Sequence, residues 1–368
     1  GLQPLSDDYL QEFELTVNTF PAAMLVKIND HQFIPGSDYI VNPGSPSVDG
    51  EYEVIKIRHS DILDNSQWPE LIKQSAGKVI VIDYRRVAEM DQENKKNSAE
   101  ILNFLKYHPN NPATATVVLT VDKLTWSVSA RQFTKPSIEL ITDMDINQIN
   151  TVTLEIDAKL EKNYESQNVI ALIEGSEKAE PYLVFTAHYD HLGQMGADTY
   201  FPGANDNASG VALLLNMAKH YGQPQNKPKR SMLFIAFSGE EAGLIGSKYY
   251  VENPLLPLKQ IHFLINFDIS GTGDDGIQVV NGSVYRDKFD RLVNLNDEGK
   301  FLKQVKIRGE ACNSDHCNFH KAGVPCFFMY TLGGIKAYHD VYDKAETLPF
   351  TEYENYFRLL NQFVDQLH

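Results

Sequence analysis

Residues 182–191 read YLVFTAHYDH, a short apolar run that ends in His188, Tyr189, Asp190 and His191. A run of that length, rich in branched and aromatic side chains, predicts a strand buried on both faces. The period then changes. Across 207–222, Val211, Leu214, Leu215 and Ala218 recur at helical spacing. Met232–Phe237 is a second apolar run, a helix-like stretch covers 240–252, His262–Phe267 is a third run and Cys326–Tyr330 a fourth. Tyr356, Leu360, Phe363 and Leu367 make one face of a terminal helix. Alternation of continuous apolar strands with helices predicts an α/β fold, a mostly parallel twisted sheet with helices on both faces.

The stretch 22–150 follows another pattern. Tyr52–Ile57 and Lys78–Ile82 read as strands, and one helix is expected, with Ser98 as N-cap and Ile101, Leu102 and Leu105 on its inner face. Pro and Gly cluster at 35–50, and Asn and Pro at 109–113, which marks loops. The expected organisation is a catalytic domain built from 1–21 and 151–368, interrupted by a β-rich module at 22–150.

The chain has 368 residues, enough for two domains and a large core without disulfide staples. Its 33 basic and 49 acidic residues give a net charge of −16. A surface that acidic repels nucleic acid and anionic membranes. No run of ~18 apolar residues is present, so no transmembrane segment is expected. The three cysteines, Cys312, Cys317 and Cys326, are too few for a disulfide framework and permit one local bridge. A Cys312–Cys317 bridge would place the protein outside the cytoplasm, secreted or periplasmic. The first residue is Gly1, not Met, so a processed or trimmed start is expected and a signal peptide would not be visible.

In parallel α/β sheets, ligands bind beyond the carboxyl ends of the strands. His188, Tyr189, Asp190 and His191 follow the first run, and Ser238, Gly239, Glu240 and Glu241 follow the second. Asp268 follows the third, and the fourth leads to a loop with His339, Asp340 and Asp343. Asp206 sits in the turn before the first helix. Each has an ordinary explanation. Ser238 to Glu241 matches a helix capping box, and Asp206 suits a turn or an N-cap. Independent surface residues, however, need not all fall at one sheet edge. An imidazole–carboxylate set without paired cysteines suits zinc better than calcium or magnesium, and a zinc pair needs a carboxylate able to bridge it. Two apparent motifs are rejected. Gly271–Gly276 matches GxGxxG but carries Asp274 and Asp275 and leads into a strand-like Ile277–Val280. The sequons at Asn207 and Asn281 are common chance matches.

Six segments then appear in order: AHYDHLG at 187–193, PGANDNASG at 202–210, SGEEAGLIGS at 238–247, NFDISG at 266–271, SDHCNFHKAGVP at 314–325 and YHDVYDKAETL at 338–348. Together they resemble the co-catalytic dizinc aminopeptidases of clan MH, a group that includes relatives of glutamate carboxypeptidase. The resemblance covers roughly 150–368. It implies two zinc ions, with His188 and Asp268 on one, Glu241 and His339 on the other, and Asp206 bridging. It implies Glu240 as general base on the attacking water, Asp190 behind His188, Asp343 behind the second site, and His316 and Tyr330 beside the substrate pocket. Peptides are the implied substrates. Residues 1–5 and 8–13 resemble the segment after the family's first helix, a helix expected to be missing from this chain, and 22–150, with GKVIVIDY and KPSIELIT, resembles an inserted protease-associated domain.

Removal of N-terminal residues is the favoured activity. A carboxypeptidase or dipeptidase on the same metals would need arginine near the site, and Arg286 and Arg308 are the nearest in sequence. A one-zinc acyltransferase like glutaminyl cyclase is disfavoured by the full bridging set. A non-catalytic receptor of this architecture would have lost ligands, and here all five and the base are present.

Overall fold

The computed structural model describes residues 2–64, 66 and 68–367, so Gly1 lies outside the described residues. Among these, two eight-stranded sheets organise the chain. The first runs, edge to edge, through the strands Leu10–Thr19, Lys159–Ile173, Arg230–Phe237, Lys178–His188, Ile261–Asp268, Cys326–Thr331, Ile277–Val280 and Val305–Ile307. Its four central strands are mutually parallel, while antiparallel pairs flank them on both sides. The mostly parallel α/β sheet expected from the apolar runs is therefore present.

Side chains alternate across these strands, which sorts two cores. Leu183, Phe185 and Ala187 face one side, where Met217 of Gly210–Tyr221, Leu292 of Arg286–Gly299 and Phe363 of Tyr353–Asp365 pack on them. Val184, Leu233 and Ile235 face the other, against Tyr250 of Ile245–Glu252 and Phe319 of His316–Lys321. The terminal helix buries the expected Tyr356, Leu360, Phe363 and Leu367.

Register places the chemistry. His188 pairs with Phe237, Thr186 with Asn266 and Asp268 with Tyr330. The four strands thus end level, and the residues that follow them emerge at one edge. The helix expected from 240 begins only at Ile245. Residues 239–244 instead form a tight turn, with Gly239 at φ 71° and Leu244 at φ 61°. That turn holds Glu240 and Glu241 at the sheet edge.

The second sheet lies within 25–156, and its last strand, Thr151–Ile156, extends it six residues past the expected boundary at 150. One face carries the helices Trp68–Gln74 and Gln92–Tyr107. The first of these gave no sequence signal. The second starts earlier than expected: Asp91 is its N-cap and accepts from Asn94 N at 2.8 Å. Ser98 is a buried interior residue whose hydroxyl meets Lys95 O and Tyr84 Oη. A carboxylate at the cap also suits the helix dipole, which explains why Asp91 takes the role. The other face is not sealed within the module. Leu192, Met195 and Phe201, from the loop after His191, are buried in its core.

The first core sets a stability prediction. Phe363→Ala should cost ~3–5 kcal/mol, whereas Leu215→Ala, at an exposed site, should stay within ~0.5 kcal/mol. Urea unfolding followed by circular dichroism measures both.

Candidate metal centre

His188 and Asp268 end neighbouring strands, Glu240 and Glu241 lie on the turn after a third, and His339 comes from the loop after a fourth. Asp206 reaches the same point from the turn that opens the Gly210–Tyr221 helix. That turn is tied down residue by residue. Asn205 Oδ1 accepts from Gly271 N at 2.9 Å, and Ser209 Oγ accepts from Ser270 N at 2.7 Å. Asn207 donates to Phe267 O at 3.1 Å and accepts from Ile269 N at 3.2 Å. The polar residues of PGANDNASG thus fasten Asp206 to the strand end that carries Asp268. Asn207 and Asn281 are both buried, which removes the two sequons from consideration as glycosylation sites.

Asp206 faces two imidazoles with its two oxygens. Oδ1 lies 3.4 Å from His188 Nε2, and Oδ2 lies 3.0 Å from His339 Nε2. Asp268 Oδ2 is 3.5 Å from His188 Nε2, and Glu241 Oε1 is 3.3 Å from His339 Nε2. The five residues expected as ligands therefore converge. So does His191, quoted in the sequence but given no role there: its Nδ1 is 2.9 Å from Glu241 Oε1. Two groups of donor atoms, each within 4.8 Å of one another, are His188, Asp206 and Asp268, and His191, Asp206 and Glu241. The signal for His191 was its place beside Asp190 at the same strand end.

The outer carboxylates act on backbone. Asp190 accepts from Glu240 N and Glu241 N, both at 3.2 Å. Asp343 accepts from Asn205 N at 2.8 Å and Asp206 N at 3.0 Å. Asp190 was expected behind His188, and the contact found there is to its backbone carbonyl. His188 Nδ1 is 3.1 Å from Asp190 O but 3.8 Å from its carboxylate. Asp315, not singled out from sequence, is a further buried carboxylate in this region.

Charge crowding governs the titration. Burial, with Asp315, Asp268 and Glu241 adding to it against His188, pushes the Glu240 carboxyl up to about 10. Burial would lower His339, but Asp206 and Glu241 outweigh it and raise it to about 10. Burial disfavours the Asp206 carboxylate, yet His188 and His339 hold it well below the usual range. Among the described residues, the ion-pair partners of Asp206, Glu241 and Asp268 are histidines alone. Asp268 Oδ1 and His191 Nε2 are buried without hydrogen-bond partners among them. Clustered carboxylates, facing imidazoles and orphaned donor atoms fit a divalent cation site.

The cluster floors a cavity of about 230 Å³ whose wall includes Ile269, Arg308, Phe328, Tyr330 and Tyr338. Arg308 donates to the Tyr330 hydroxyl at 3.1 Å. Arg286 instead pairs with Asp290 on its own helix. Tyr330 lines this wall. His316 stands behind it, buried, with Nε2 2.8 Å from Ala311 O and its ring on Phe328. Beside the cavity, Cys312 and Cys317 form a disulfide, and Cys326 is free and buried.

A buried cluster of histidines and carboxylates at the carboxyl edge of a parallel sheet is suited to hold divalent cations. The profile of Peptidase family M28 matches residues 168–364, more than half of the chain, and the chain belongs to that family. It is 32% identical to aminopeptidase YwaD of Bacillus subtilis over 188 residues, which are 49% of this chain and 38% of that protein. It is 35% identical over 113 residues to a probable zinc metalloprotease of Leptosphaeria maculans, covering 30% of this chain and 26% of that one. These matches span well under half the length of either relative. Two solved structures share the fold. The zinc aminopeptidase BSAP from Bacillus subtilis has a TM-score of 0.68 at 20% identity, covering 100% of this chain and 84% of that chain. The peptidase M28 precursor from Shewanella amazonensis has 0.69 at 18%, covering 99% and 84%.

Two measurements follow from this geometry. Asp206→Ala should lose zinc, and Glu240→Ala should retain it, as read by elemental analysis after dialysis. An imidazole must shed its proton to ligate, and His339 is held protonated up to about 10. Zinc binding should therefore release protons at pH 7, and apparent affinity should rise with pH from 6 to 9, by up to about tenfold per unit for each proton displaced. Calorimetry in buffers of different ionisation enthalpy measures that release.

Proposed function

We propose that this chain is a dizinc exopeptidase that removes N-terminal amino acids from peptides. The observation that carries the reading is Asp206, which turns one oxygen toward His188 and the other toward His339. A carboxylate so placed is what a bridged metal pair requires. His188 and Asp268 would hold one zinc, and Glu241 and His339 the other. Zinc, when bound, polarises the scissile carbonyl and lowers the pKa of a water toward ~7.

The remaining work falls to the chain's own groups. Glu240 lines the cavity and is not among the five ligands. Beside two bound cations its carboxyl would be ionised despite the burial that raises it in their absence, and it then accepts the proton of the attacking water and passes it to the leaving nitrogen. Asp190 fixes the Glu240 and Glu241 amides, so base and ligand keep their separation. Ile269, Phe328 and Tyr330 shape the pocket for the terminal side chain. A larger cavity of about 460 Å³ starts at Glu241 and His191 and continues past Trp126 and Val128, with room for the rest of a peptide. The second sheet would then be a protease-associated-type module that walls the substrate path. The Cys312–Cys317 disulfide supports an extracytoplasmic setting.

One observation favours a second reading. Arg308 in the cavity wall could bind a substrate carboxylate, as a carboxypeptidase or dipeptidase requires.

Mass spectrometry of matched peptides with free or acetylated N-termini separates these readings. Loss of residues from the free terminus only, abolished by chelator and restored by zinc, is the expected result. Trimming of the acetylated peptide from its C-terminus would establish the second reading, and no cleavage of either would contradict both.

A further inference from the structure

Among the described residues, His339 is the one expected zinc ligand whose outer partner comes from the second sheet's module. Its Nε2 faces Asp206 and Glu241, and its Nδ1 is 3.0 Å from Trp126 O. A ligating imidazole ordinarily donates its other N–H to a fixed acceptor, which sets its tautomer and direction. Here that acceptor is a backbone carbonyl of the 22–150 stretch. The contact is reciprocal, because Trp126 N donates to His339 O at 2.9 Å.

His339 needs such support. Its φ of 53° is in the left-handed region, where a side chain with a Cβ is strained. Strain of this kind persists only where surrounding structure over-determines it. Lys123 supplies that surrounding. Its ammonium donates to Lys336 O at 2.7 Å and Tyr338 O at 2.9 Å, and lies 2.7 Å from the buried Asp340 carboxylate. Three acceptors on both sides of His339 are thereby drawn to one cation. Trp126 is fixed in turn: it is buried, its indole N–H donates to Val41 O at 2.7 Å, and its ring stacks on Phe201 at 4.7 Å. Phe201 belongs to the loop that follows His191, so the module grips both histidine-bearing loops.

We propose that the 22–150 module is a working part of the metal centre as well as a wall beside it. Its Trp126 carbonyl and Lys123 ammonium are positioning groups that aim His339 at the cation shared with Glu241. The inference rests on the dizinc reading above.

The test is competitive zinc titration of the full chain against a chromogenic chelator, with Lys123→Met and Lys123→Arg beside the wild type. Lys123→Met keeps the aliphatic stem and removes the ammonium. It should weaken one of two bound ions by about 10–100-fold and leave the other within twofold. Lys123→Arg should restore most of that loss. Cobalt substituted at the weakened position should show a changed visible spectrum in Lys123→Met, while the melting temperature stays near wild type. Equal affinities for both ions in Lys123→Met and wild type would overturn the inference and leave the dizinc reading intact, as would equal weakening of both ions. Wild-type protein that binds fewer than two zinc ions would overturn the dizinc reading and this inference with it. Should Lys123→Met fail to fold, Asp340→Asn removes the other half of the ion pair and carries the same expectations.

Discussion

A buried carboxylate that must serve two imidazoles at once is the constraint on which this structure turns. Asp206 lies within hydrogen-bonding range of His339 and just beyond it from His188, while Asp268 and Glu241 add further negative charge. Charges of one sign do not stay together in a protein interior without strong compensation. The surroundings supply it in two forms. Backbone amides are aimed at the outer carboxylates Asp190 and Asp343, and a net of Asn and Ser side chains keeps the Asp206 turn from moving away. Divalent cations would supply the rest of the positive charge.

The parallel sheet is what makes that convergence affordable in backbone terms. Parallel strands in level register deliver several loops to one edge while every strand remains buried and fully paired. Thr186 opposite Asn266, and His188 opposite Phe237, leave His188, Asp268 and the Glu240–Glu241 turn on a common rim. The helices Gly210–Tyr221, Arg286–Gly299, Tyr353–Asp365, Ile245–Glu252 and His316–Lys321 carry none of the five expected ligands. They cover the two faces, with the Phe363 and Tyr250 clusters packed on opposite sides of the sheet.

Most of this was legible in the chain because it rests on local pattern. Apolar runs marked the strands, and most of the expected ligands stand in the segments that follow those runs, which the structure brings to one edge. Where the reading fell short, the missing information was long-range or local competition. Nothing near Trp126 in sequence signals that its carbonyl meets His339, 213 residues away. Leu192, Met195 and Phe201 look like ordinary loop residues until the second sheet is placed over them. His191 was visible in the motif, but its approach to Glu241 depends on how the two loops fold back on each other. Ser98 was displaced as helix cap by Asp91, an equally good cap about two turns earlier and a better match to the dipole. The disulfide was legible only as a possibility, since spacing alone does not choose among three cysteines.

Zinc-edge anomalous diffraction from crystals grown with zinc tests whether Asp206 bridges a metal pair. Two peaks are expected, one on each side of the Asp206 carboxylate, the first within bonding distance of His188 and Asp268 and the second of Glu241 and His339. A single peak, or two peaks that Asp206 does not bridge, would contradict that bridging role.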